Sequence, residues 1–206
     1  MRRKTRNFNL GNIGIGSDSP ISVQSMTKTD TRDVDKTVNQ INELELAGCD
    51  IIRCAVPNID AAMALKQIIK KTNIPVVADI HFEYTLALEA IKSGIHGLRI
   101  NPGNIGQRKR IVTVVNAAKD AGIPIRIGVN SGSLEKDILQ KHGSPTPDAL
   151  VESAERHLGI LDELNFTNVK VSVKSANVNI MKESYRKLAK ITDVPFHLGV
   201  TEAGTF

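Results

Sequence analysis

Short apolar runs alternate with amphipathic segments along almost the whole chain. In the amphipathic segments the apolar residues recur every three or four positions, as Val34, Val38, Ile41 and Leu44 do on one helical face. A Gly or Pro usually closes each unit and separates it from the next apolar run. The apolar runs are rich in β-branched residues and predict strands at 21–26, 50–56, 75–80, 97–101, 123–130, 168–174 and 194–200.

The segments between these runs have helical periodicity. Pro145 and Pro147 divide the longest of them into a short helix and a main helix, because proline interrupts helical hydrogen bonding. The predicted helical segments are 33–48, 59–71, 83–93, 106–121, 133–164 and 178–191.

Alternating strands and helices predict an α/β fold with a parallel sheet, because parallel strands need crossover connections. The nearest closed solution is a TIM-type (β/α)8 barrel, truncated after about seven strands. Residues 1–206 would form an incomplete substrate-binding barrel domain of a longer protein, with 1–20 as an N-terminal β-hairpin that caps its bottom. An open doubly wound sheet is the alternative, but the dinucleotide-like stretch GNIGIGS (11–17) precedes the first convincing strand.

Composition narrows the functional classes. No apolar run approaches the about 18–20 residues that cross a bilayer, and the basic N-terminus lacks the apolar core of a signal peptide. Cys49 and Cys54 are too few for a disulfide framework or a metal cluster, so we expect structural roles for them and a cytoplasmic protein. The net charge of +5 favours anionic partners. Nucleic acid is not expected, because two tyrosines, five phenylalanines and no tryptophan supply few stacking platforms.

The run PVVADIHF (75–82) shows where the polar side chains of the strands point. Val76 and Ala78 point to one side of the strand, whereas Asp79 and His81 point to the other. If the apolar side faces the helices, the polar side faces the barrel axis. The same alternation directs further polar residues inward, namely Arg53, Arg99, Asn101, Arg126, Asn130 and Lys174.

This inward set contains four basic residues and few acidic partners, chiefly Asp79 and Glu202. Burying unpaired charge is costly, so the ring predicts a bound anion, and arginine forks favour a phosphorylated ligand. For each residue alone, a salt bridge or a solvated strand end is the alternative. The histidines show no metal-ligand spacing with His81, so we expect no metal site.

Seven motifs in order along the chain resemble those of the 4-hydroxy-3-methylbut-2-enyl diphosphate synthase family, an enzyme family of the methylerythritol phosphate route to isoprenoids. The resemblance spans essentially the whole chain. The motifs are ISVQSMTKTDTRD, GCDIIRCAVP, PVVADIHF, GLRINPGNIG, PIRIGVNSGSLE, VKVSVKSANV and GVTEAG.

The resemblance implies an oxidoreductase whose barrel binds 2-C-methyl-D-erythritol 2,4-cyclodiphosphate. It assigns Glu202 as the acidic catalytic residue near the reacting carbon, and Asp79 and Asn101 as supporting polar groups. The residues that it implies for substrate binding are Arg53, His81, Arg99, Arg126, Asn130 and Lys174.

The resemblance also implies a [4Fe-4S] cluster, held by three cysteines and a glutamate on a following domain. We expect those ligands beyond Phe206, so this chain alone would hold no cofactor and be inactive. A flavodoxin or ferredoxin would donate electrons, and the full-length protein would be a homodimer. Two alternatives stay open: a dihydropteroate-synthase-like barrel that binds a pterin, and a non-catalytic module that binds a phosphorylated ligand.

Overall fold

The computed structural model describes residues 2–199 and consists of strands joined by helices. Within that range, no helix combines the length and the apolar character that a bilayer crossing needs. The strands are β1 (Phe8–Leu10), β2 (Ile13–Ile15), β3 (Gln24–Met26), β4 (Ile51–Ala55), β5 (Val76–Asp79), β6 (Gly97–Ile100), β7 (Ile125–Asn130) and β8 (Val169–Lys174).

The helices follow the strands, as the periodicity predicts. A single 3₁₀ turn, Ser131–Ser133, comes directly after β7. The helices are α1 (Val34–Leu46), α2 (Ile59–Lys70), α3 (Tyr84–Lys92), α4 (Pro102–Ile105), α5 (Arg108–Asp120), α6 (Lys136–His142), α7 (Pro147–Glu163) and α8 (Val178–Ile191).

Strands β3 to β8 form one parallel sheet in chain order, which curls into part of a barrel. The fold is therefore of the TIM-barrel type, as predicted. The sequence predicted a strand at 194–200, and for its described part, residues 194–199, this prediction was wrong in extent. The strand is reduced to one parallel bridge between Phe196 and Val171, with the amide of His197 donating to the Val171 carbonyl at 2.8 Å.

Side chains at the helix ends explain where the helices begin and end. Asp33 and Asn58 cap the starts of α1 and α2 by accepting hydrogen bonds from backbone amides of the first turn. Thr146 caps α7, and Pro147 occupies its first position, where no amide donor is needed. Gly143 ends α6 at φ 72°, a left-handed conformation that favours glycine.

The main hydrophobic core lies between the sheet and the helices. Val76, Ala78 and Ile80 are fully buried in it, and the apolar positions of the other strands alternate in the same way. The alternation predicted from the sequence is therefore confirmed, because the outward-facing residues pack on helices and leave the polar set to face the interior.

A second, smaller core closes the sheet at the amino ends of its strands. Strands β1 and β2 pair as an antiparallel hairpin, and Leu10 of this hairpin packs in one buried cluster with Ile51 and Val77. Gly97, the first residue of β6, has no space for a side chain without crowding Leu10, because a Cβ there would lie 3.3 Å from its Cδ1. The hairpin therefore occupies the end of the sheet opposite to the carboxyl ends of the strands.

We expect Leu10→Ala to destabilise the chain by about 2–5 kcal/mol, because it removes a fully buried side chain and leaves a cavity under the strands. Urea unfolding followed by circular dichroism measures the loss. Leu46→Ala is the matched control, since Leu46 is 90% exposed. Equal losses in the two variants would contradict the hairpin's place in the core.

Candidate functional site

A polar cavity of about 530 Å³ opens at the carboxyl ends of the parallel strands. Each of β3 to β8, or the loop after it, contributes to its wall. This is the end at which barrel enzymes place their active sites. The residues that line it are Met26, Arg53, Asp79, His81, Arg99, Arg126, Asn130, Ser131, Gly132, Ser133, Ser172, Lys174 and Ala176.

Asp79 is the buried acidic centre of this cavity and is 3% exposed. Its Oδ1 atom accepts a hydrogen bond of 3.0 Å from Nη1 of Arg99. Its Oδ2 atom lies 3.5 Å from Nε of Arg53, and Nε2 of His81 lies 3.4 Å from Oδ1. Asp79, the last residue of β5, therefore contacts side chains from β4, from β6 and from the loop that follows β5.

The same contacts fix the charge of Asp79. Burial alone would raise the pKa of its carboxyl group, but the neighbouring His81, Arg99 and Arg53 side chains outweigh that effect and hold the pKa well below its usual range. Asp79 is consequently a carboxylate at neutral pH, so it serves as a counter-ion and an acceptor and not as a proton donor.

Arg126 is more deeply buried than the other cavity cations that flank it, with 2% of its surface exposed. Burial, together with the charges of Arg53 and Arg99, lowers the pKa of Arg126 to about 9, so it remains a cation at pH 7. Within residues 2–199, the buried Nε atoms of Arg99 and Arg126 have no hydrogen-bond partner. Two buried guanidinium donors are thus left for a ligand or water to satisfy.

Lys174 stands at the mouth of the cavity as the last residue of β8. Burial and the charges of Arg126, Arg53 and Arg99 lower the pKa of Lys174 to about 8. Lys170 belongs to the same inward-facing series, but it lines a separate cavity of about 380 Å³ near the N-terminal segment. Burial and Arg126 lower the pKa of Lys170 to about 7.

Backbone close to Arg99 shapes the site as well. A Cβ at Gly128 would lie 2.9 Å from Nε of Arg99, so only glycine leaves room for that guanidinium between β6 and β7. Asn130 ends β7, and its amide oxygen accepts from Nη2 of Arg99 at 3.3 Å in the orientation that satisfies both amide atoms.

Of the nine site residues proposed from the sequence, seven line this cavity together: Arg53, Asp79, His81, Arg99, Arg126, Asn130 and Lys174. Asn101 does not line it, because its side chain accepts from the amide of Gly103 and caps α4. Glu202 lies outside the described residues.

Sequence reasoning missed part of the cavity wall. The alternation along the strands points Met26 and Ser172 inward, but we did not assign them to the site. The turn Ser131–Ser133 also lines the cavity, and it follows a strand, so strand alternation gave no signal for it.

Chemically, the cavity suits a multiply charged anion. Arg53, Arg99, Arg126 and Lys174 face a single described carboxylate, that of Asp79. A metal centre has no ligands here, since residues 2–199 contain no group of three His, Cys, Asp or Glu side chains that could hold an ion. The geometry supports binding and charge neutralisation.

Comparison with known proteins places the chain in a family. Residues 5–206 match the family described as the GcpE TIM-barrel domain. The chain belongs to this family. It is also 60% identical over 204 residues to a protein named 4-hydroxy-3-methylbut-2-en-1-yl diphosphate synthase (flavodoxin) from Clostridium perfringens, covering 99% of this chain and 58% of that protein. The chain thus spans less than two thirds of that relative's length.

Solved structures with little sequence similarity share the fold. The chain is similar to 3-dehydroquinate dehydratase from Geobacillus kaustophilus, with a TM-score of 0.63 and 17% identity, covering 95% of this chain and 79% of that one. It is also similar to a dihydropteroate synthase from Xanthomonas albilineans, with a TM-score of 0.57 and 13% identity. The match covers 93% of this chain and 76% of that one. At these identities the likeness is to the barrel and gives no support to a pterin site.

We expect Asp79→Asn to destabilise the chain by about 3–5 kcal/mol at pH 7, because it leaves buried guanidinium groups without their counter-ion. Urea unfolding gives the loss. Asp30→Asn serves as the control, since Asp30 pairs with Arg32 on the surface and its removal should change little. If both variants unfold like the wild type, Asp79 does not hold the cavity together.

Proposed function

We propose that this chain is the substrate-binding barrel of a 4-hydroxy-3-methylbut-2-enyl diphosphate synthase, and that its cavity binds 2-C-methyl-D-erythritol 2,4-cyclodiphosphate. The observation that carries the proposal is the surplus of buried positive charge around Asp79 at the carboxyl ends of the strands. Family membership supports it, and so does the name of the 60% identical relative. A cyclic diphosphate supplies the negative charge that this cavity lacks.

The cations have distinct parts in this proposal. Arg99 and Arg126 offer their unsatisfied Nε donors to phosphate oxygens from the floor of the cavity. Arg53 neutralises charge from one side, and Lys174 does so from the mouth. His81 and Asn130, which line the same wall, contact the hydroxyl groups of the carbon skeleton. Fixed before the ligand arrives, these groups hold the diphosphate in one orientation.

The overall reaction is a reductive ring opening with loss of a hydroxyl group, in an oxidoreductase supplied with electrons by flavodoxin or ferredoxin. The word flavodoxin in the relative's name agrees with the first of these donors. Glu202 would deliver a proton near the reacting carbon. We further propose that the full-length protein acts as a homodimer in the cytoplasm.

A [4Fe-4S] cluster would supply the electron transfer, but the described residues do not fit one. Cys49 and Cys54 are both buried, and burial raises the pKa of Cys54 to about 11, which disfavours the thiolate that a metal needs. No other side chains complete a ligand set in residues 2–199. We therefore propose that this chain binds and orients the substrate and is inactive on its own.

Alanine at Arg53, Arg99, Arg126 or Lys174 should weaken binding of the cyclic diphosphate by about ten- to a hundredfold, because each removes a charge-assisted contact. Arg126→Lys should also weaken binding, since an ammonium cannot reproduce the planar fork. Isothermal titration calorimetry measures the affinities, and circular dichroism confirms that each variant is folded.

Lys109→Ala is the control for these variants, because Lys109 is exposed on α5, away from the cavity. Its affinity should equal that of the wild type. Folded variants of the four cavity cations that bind as tightly as this control would show that the cationic ring is not the binding site.

Binding should weaken as the pH rises through about 8, the pKa of Lys174 in the free chain. The sign follows from linkage: the bound anion favours the protonated ammonium, so above that pH binding must take up a proton. The cyclic diphosphate itself has no group that titrates near this pH. Calorimetry at several pH values should show this decline in the wild type and a much flatter profile in Lys174→Gln. Identical pH profiles in the wild type and in Lys174→Gln would show that Lys174 does not take part in binding.

A further inference from the structure

A second cluster of polar side chains lies beside the cavity and plays no part in the binding described above. It consists of Glu135, Ser153 and His157. Nε2 of His157 lies 3.0 Å from Oε1 of Glu135, and the hydroxyl of Ser153 donates to Oε2 of the same carboxylate at 2.8 Å. Ser153 and His157 are four residues apart on α7, so they present adjacent side chains to Glu135.

Two members of this cluster are buried, and the third, Glu135, is partly buried with 18% of its side chain exposed. His157 is 4% exposed and Ser153 is 2% exposed. Burial would raise the pKa of Glu135, but its contacts with His157 and Ser153 hold that pKa at about 2, so Glu135 is a carboxylate at neutral pH. A carboxylate held by two side chains of α7 fixes the backbone that carries it at the start of α6.

The position of the cluster connects it with two loops at the cavity. Glu135 follows the turn Ser131–Ser133 closely, separated from it by the buried Leu134, and that turn lines the cavity. The same edge of the His157 ring faces α4, the short helix after β6, where a Cβ at Gly103 would lie 3.5 Å from Cε1 and 3.6 Å from Nε2. His157 therefore lies next to the segments that follow the strands bearing Arg99 and Arg126.

We propose that Glu135 and His157 are positioning residues that hold the Ser131–Ser133 turn against the anion cavity, where the turn donates hydrogen bonds to the bound ligand. The hydroxyls of Ser131 and Ser133 are neutral donors that suit phosphate and hydroxyl oxygens. The turn supplements the cations and contributes specificity for ligand shape. This inference rests on the proposed function, because it assigns a further part of the same site.

The chain provides a matched comparison for this pair. His142 and Glu152 also join α6 to α7, with Nε2 and Oε2 2.8 Å apart, but neither residue lines the cavity. The two histidine–carboxylate pairs thus share their chemistry and the helices they connect. They differ in whether the bridged segment leads into the cavity wall.

The test is a double-mutant cycle on binding of 2-C-methyl-D-erythritol 2,4-cyclodiphosphate, measured by calorimetry. His157→Gln should weaken binding by about three- to tenfold, the effect of a displaced neutral hydrogen bond. His142→Gln should leave the affinity unchanged. In a background with Ser131→Ala and Ser133→Ala, His157→Gln should cause little further loss, because the groups it positions are absent. Glu135→Gln replaces His157→Gln if the latter does not fold.

Each result decides between distinct conclusions. If the wild type binds no cyclic diphosphate, the proposed function fails and this inference falls with it. If the wild type binds and the cavity arginines matter, but His157→Gln and Glu135→Gln bind normally, this inference alone is wrong. It is also wrong if His157→Gln weakens binding by the same factor with and without the two serines, because the loss would then not act through the turn.

Discussion

The structure depends on one imbalance of charge: within residues 2–199, several buried or partly buried cations surround a single buried carboxylate. Asp79 holds Arg99 at 3.0 Å and Arg53 at 3.5 Å, while Arg126 is buried beside them without a carboxylate of its own among the described residues. Like charges in a low-dielectric interior repel strongly, so this arrangement is costly without a further anion. The repulsion lowers the stability of the unliganded fold, but the same charges are already in position to bind an anion.

The rest of the fold makes that imbalance possible. Parallel pairing aligns the carboxyl ends of successive strands, so Asp79 lies opposite Arg99 and Arg99 opposite Arg126 in the sheet register. The outward side of each strand packs on helices, and the hairpin fills the amino end with apolar side chains. Gly128 leaves the space that the Arg99 guanidinium occupies. The apolar core thus supplies the stability that the polar end does not.

The alternation of residues along each strand was enough to predict which side chains converge, because side-chain direction in a strand has a period of two. The rule extends past β5 to His81, but it fails where the chain turns directly after a strand. Asn101 lies one residue beyond β6, where the chain turns into α4 and the amide becomes a cap. The turn after β7 enters the cavity for the same reason, through loop geometry that the period of two does not describe. The extent of pairing at Phe196 depends on neighbouring strands, which are non-local and have no local sequence signal.

The most direct test of the account is an NMR titration of the arginine Nε–H resonances with the cyclic diphosphate. We expect the resonances of Arg99 and Arg126 to shift saturably and to become protected from exchange with water, since their Nε atoms lack partners in the described residues. The resonance of Arg108, which pairs with Glu163 on the surface, should stay in place. Unchanged Arg99 and Arg126 resonances at saturating ligand would contradict the claim that these buried guanidinium groups bind the anion.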